Sequence, residues 1–98
     1  MTAPASQVRV SGVRFTHGSE ADRRAGLLGW LRVRYGALEL DGLALRRSGD
    51  GRFLVTFPSR RDSAGREHPL VRPLDYASRR DLEAQILRGI EDARRRPA

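Results

Sequence analysis

An α+β domain follows from three features of the sequence. Segments of alternating apolar and polar residues come first, glycine-centred turns separate them, and a helical period takes over after Asp75. Alternation with a period of two sets one strand face against a core, whereas apolar residues three and four apart line one side of a helix. The expected architecture is an antiparallel sheet of about four to five strands with one C-terminal amphipathic helix on one face.

The 98 residues suit one domain, expected over residues 7–96 after a loose tail at residues 1–6 (Thr, Ala, Pro, Ala and Ser after Met1) that has nothing to bury. Val8, Val10, Val13 and Phe15 mark the first strand, and their parity changes at Gly12, so a bulge is expected there. His17 to Ala25 reads as a polar loop. In Leu27 to Tyr35, Leu31, Val33 and Tyr35 alternate with Arg32 and Arg34, and Trp30 falls on the second face. Gly36 makes a turn. Leu38, Leu40, Leu43 and Leu45 form the next strand, with a second parity switch at Asp41-Gly42. Ser48-Gly49-Asp50-Gly51 is a hairpin signal.

Phe53 to Phe57 suits a half-buried strand, which Pro58 must end or confine to an edge. Asp62-Ser63-Ala64-Gly65 is a turn, after which Leu70 and Val71 resume an extended run closed by Pro73. The predicted product is a hairpin bearing Arg60, Arg61, Arg66 and Arg72. From Asp75 onward, Leu82, Ile86, Ile90 and Ala93 lie within about 80° of one another on a helix. Asp75 or Ser78 is the expected N-cap, and Ser78 with Asp81 is a weak capping box. Gly89 beside the apolar stripe suggests close packing, and Arg94, Arg95 and Arg96 complement the C-terminal dipole before Pro97.

The 19 basic residues are all arginine, and the net charge is +7. GC-rich coding is one cause. The physical consequence is fixed positive charge with bidentate phosphate geometry, which favours a polyanion, with nucleic acid ahead of an anionic membrane surface. There are no cysteines, which excludes disulfides, cysteine-based zinc sites and thiol catalysis. No apolar run reaches the ~20 residues of a membrane span and no secretory signal opens the chain, so a cytoplasmic location is expected.

Phe57-Pro58-Ser59-Arg60-Arg61, Gly65, Arg72-Pro73-Leu74, Ser78-Arg79 and Leu82 to Leu87 resemble the stage V sporulation protein G (SpoVG) family of bacterial septation regulators. That family carries a Met-Pro-Ser-Lys-Arg run, a glycine turn, a His-Pro-Ile segment and a helix opening with Thr-Arg. The spacing matches without a gap from Pro58 to Leu87, and Val10 to Phe15 resembles the family's opening strand. The resemblance implies a homodimer assembled by strand pairing, and binding of DNA, and of RNA in some members, in gene regulation. Carried across by position, it points to Arg60, Arg61 and Arg79. The chain departs from the pattern at Arg72, where the family has histidine, at Arg80, where it has a small residue, and at Asp81, where it is typically basic.

Affinity for nucleic acid arises from several cations reaching phosphate together. The candidate group is Arg60, Arg61, Arg66, Arg72 and Arg79, should the helix start abut the hairpin, with Arg80 nearest to it and Ser59 as a phosphate donor. The bland alternative is a hairpin kept soluble by charge. Core packing is expected for Phe53 and Phe57, and a dimer interface for Trp30. His17 and His68 have no nucleophile or second ligand at a recognisable spacing, and neither a phosphate-binding glycine loop nor a carboxylate pair is present. No catalysis and no cofactor are expected. The rival function is a protein-interaction or structural dimer whose basic surface meets an acidic protein.

Overall fold

The computed structural model describes residues 8–95. The order of elements is β1 (Val10–His17), α1 (Glu20–Arg24), β2 (Leu27–Tyr35), β3 (Leu38–Arg47), β4 (Phe53–Thr56), β5 (Ser59–Arg61), β6 (Glu67–Pro69) and α2 (Tyr76–Arg95). β1 to β4 form one antiparallel sheet in chain order, while β5 and β6 pair in a separate two-stranded sheet. The α+β class is as the sequence predicts. The expected tail at residues 1–6 and the contribution of Arg96 lie outside the described residues.

Both parity switches are bulges. The β1–β2 register shifts between Ser11 and Arg14, with Gly12 at φ +57°, and the β2–β3 register shifts between Leu31 and Val33, opposite Asp41 and Gly42. Each extra residue returns the following apolar side chains to the buried face. Leu31, Val33, Leu43, Leu45 and Val55 therefore line one face of the sheet, where Ile86 of α2 completes the core.

α2 starts where Asp75 accepts the Ser78 amide on Oδ1 at 2.8 Å, which makes Asp75 its N-cap. The Ser78–Asp81 box does not form, because Ser78 lies inside the helix with its amide given to Asp75; the Asp81 carboxylate accepts from Gln85 Nε2. Leu82 and Ile86 are buried, Ile90 packs at the edge of the core, and Ala93 is exposed. Gly89 brings the helix against β1, for a Cβ built there would lie 2.4 Å from Cγ2 of Val13.

The helix also reaches the backbone of both edge strands. On β1, the Val10 amide donates to Gln85 Oε1 at 2.8 Å, and just ahead of the strand Gln85 Nε2 donates to the Val8 carbonyl at 3.2 Å. On β4, the Val55 amide donates to Glu83 Oε2 at 3.0 Å, and Arg79 Nη2 donates to the Val55 carbonyl at 3.1 Å. Outward-facing groups of an edge strand invite pairing with another chain, and here side chains of α2 take their place.

Three expectations need correction. The polar loop from His17 to Ala25 contains α1, whose Ser19 and Asp22 form a capping box with both bonds at 3.0 Å. Leu70 and Val71 do not continue a strand; both are exposed, and the Leu70 amide makes the last bond of the small sheet, to the Pro58 carbonyl. Phe53 is not core. It lies on the helix side of the sheet but past the helix's cover, with the Arg47 guanidinium 5.2 Å from its ring centroid.

Candidate nucleic-acid interface

The β5–β6 hairpin is held by its own turn. Asp62 Oδ1 accepts the amides of Ala64 and Arg66, both at 2.9 Å, and the Asp62 amide donates to the Arg66 carbonyl at 2.9 Å. Gly65 closes the turn at φ +84°, in the left-handed region glycine enters without steric cost. On Oδ2, Asp62 meets His68 Nε2 at 2.7 Å and Arg66 Nε at 3.4 Å. The hydrogen bond to His68, followed by that from the Arg66 backbone, holds the Asp62 carboxyl below the usual aspartate range.

β5 and β6 pack on each other and have no extensive contact with any other element. Apart from half-buried Asp62, residues 59–69 are exposed. Arg60 stands opposite His68 and Arg61 opposite Glu67, which it meets at 3.2 Å. Ser59, Arg60, Arg61 and Arg66 thus share one projecting ribbon. Arg60 has no ion-pair partner among the described residues.

The start of α2 does not join this cluster by packing against it. Arg79 is directed to the Val55 carbonyl and lies 3.9 Å from Glu83, so its guanidinium serves the sheet edge. Arg80 lies over the exposed ring of Tyr76, 5.9 Å from its centroid. Arg72 sits on the connector between ribbon and helix, beside an apolar hollow lined by Leu38, Phe57, Val71 and Leu74. Leu74 is 90% exposed.

A basic surface assembled from separate strands covers the sheet face opposite the helix. Arg14 and Arg32 are register partners on neighbouring strands, and Arg34 follows two residues on. Together with Gly12 and Glu39 they line a polar recess. Trp30, two residues before Arg32, is on this face and 46% exposed. The signal was present in the alternating Trp30-Leu31-Arg32-Val33-Arg34; Arg14 joined it only through the register set by the Gly12 bulge.

No family model matches the chain, and no curated protein or solved structure matches it either. Among the described residues no cluster of carboxylate, histidine or cysteine side chains is arranged to hold a metal ion, and no helix is long and apolar enough to cross a membrane.

Proposed function

We propose that this chain is a nucleic-acid-binding regulatory protein of the SpoVG type, acting in the cytoplasm as a homodimer without catalysis. The observation that carries the reading is the projecting β5–β6 ribbon, with arginines on its strand and at its turn. A two-stranded ribbon has the width to enter the major groove of duplex DNA. Arg60 approaches phosphate first. Arg61 and Arg66 exchange their carboxylate partners, Glu67 and Asp62, for phosphates at small cost, because exposed ion pairs contribute only about 0–1 kcal/mol. Ser59 and Arg72 add contacts at the ribbon's base, and any base preference comes from arginine forks on guanine.

The rival reading, a module that binds an acidic protein, is favoured by the exposed apolar side chains of Leu70 and Leu74 on either side of Arg72. The two separate by substitution. For a phosphate-contacting residue, Arg60→Ala, Arg61→Ala or Arg66→Ala each lowers the slope of log affinity against log salt for a labelled duplex by about one. Unchanged slopes in all three variants would remove the ribbon from the interface.

A further inference from the structure

We infer that the open face of the β1–β4 sheet is a second site, which binds single-stranded nucleic acid by stacking a base on Trp30 and holding the adjacent phosphate on Arg14, Arg32 and Arg34. The inference rests on the reading of the chain as a nucleic-acid binder and adds a site and a ligand class to it. Like charges directly opposite each other across two strands destabilise a sheet, yet Arg14 faces Arg32 in register. The Gly12 bulge brings a third cation in. Its positive φ and missing side chain leave room for the Arg34 stem, whose Cδ would be 3.3 Å from a Cβ at position 12. Glu39, 3.9 Å from Arg32, is the one carboxylate lining the recess. The recess therefore keeps a positive excess, which an anionic ligand relieves.

The neighbouring surface identifies the anion. Thr16, Ala44 and Thr56 stand in register beside Trp30 across the sheet; Ala44 itself is covered, at 2% exposure, whereas Trp30 keeps 46% of its surface exposed. Along the strand direction, Arg32 lies on one side of Trp30, and Arg46, two residues beyond Ala44, lies on the other. A flat aromatic face between cations matches alternating bases and phosphates, and stacking needs a base that is free of its duplex. A second copy packed on the same face would bring arginine against arginine. The face thus fits a nucleic-acid strand better than a dimer contact.

Trp30 is the single tryptophan of the chain and reports its own occupancy. Oligothymidylate, oligouridylate and a duplex are each titrated into the protein, with Trp30 emission and the anisotropy of the labelled nucleic acid read together. Single strands are expected to quench the emission, and the comparison of thymidylate with uridylate distinguishes DNA from RNA. Trp30→Ala is expected to weaken single-strand binding about tenfold, while Trp30→Phe retains most of it. An Arg14→Gln/Arg32→Gln/Arg34→Gln variant, or Arg32→Gln alone should the triple variant not fold, weakens single-strand binding and loses the quench at a given ligand concentration. Arg60→Gln/Arg66→Gln keeps the quench. Single strands that bind without quenching, and equally well to the sheet variants, would overturn this site and leave the ribbon reading standing. Absence of binding by every nucleic acid would overturn both.

Discussion

Asp62 concentrates four interactions of the ribbon turn on one carboxylate, and this makes the turn acid-sensitive. Its partners favour the ionised form, so its folded pKa is depressed relative to the unfolded chain. The stabilisation is complete above the ordinary aspartate range and is lost as pH falls through the depressed folded value. The amide chemical shifts of Ala64 and Arg66 should move in that acidic window, while Asp62→Asn leaves them flat. Shifts that stay constant in the parent protein would show that the turn does not depend on the charge. Arg79 and Glu83 matter in a different way, because they pair with the outward backbone groups of Val55. Glu83→Ala or Arg79→Ala should lower stability by about 1–2 kcal/mol, read as a reduced urea midpoint at constant m. In this account Arg79→Ala also leaves the duplex salt slope unaltered. A fall of about one in that slope would return Arg79 to the phosphate contacts that the family resemblance implies.

At the scale of elements, the contact between α2 and β1 is governed by Gly89. Alanine there gains about 1 kcal/mol of helix propensity but drives a methyl group into Val13, a short, stiff side chain with little room to yield. Overpacking costs typically about 1–3 kcal/mol, so Gly89→Ala should destabilise and Val13→Ala should restore part of the loss in the double variant. Additive effects in the thermal or urea midpoints would deny the contact. Gly89 was legible in the sequence because it lies beside an apolar stripe, and the bulges at Gly12 and Gly42 were legible because a single inserted residue inverts the alternation. α1 was not, since five residues are too few to show a period, although Ser19 and Asp22 carried the capping signature. Phe53 misled because alternation identifies its face correctly but not the extent of the helix that covers it. The ribbon's arginines could be read from Ser59 to Arg66, whereas the work of Arg79 depends on a strand 24 residues away, which no local pattern encodes.

Across the whole molecule, exposed apolar side chains gather near the connector, while Trp30 stands among the arginines of the open sheet face. Leu38, Val71 and Leu74 border one hollow near the connector, away from the arginines of the open sheet face, and a second copy covering that hollow would meet Arg72 but leave the open sheet face and Arg60, Arg61 and Arg66 free. A dimer by strand pairing has a restricted route, because α2 already takes outward groups of Val10 and Val55. Light scattering at micromolar concentration should give twice the 11.0 kDa chain mass, and Leu74→Glu should shift it to the monomer without unfolding. A monomeric parent protein would overturn the homodimer of the proposed function.

The helix that occupies both edges of the sheet also sets an order of events during synthesis. Val8 and Gln85 are 77 residues apart, and all six strands precede α2. A ribosome therefore releases the meander before the side chains that shield its borders have emerged. For that interval the nascent sheet is open to pairing with neighbouring chains, until α2 docks and covers both edges. Slow translation through the α2 codons would lengthen that exposure.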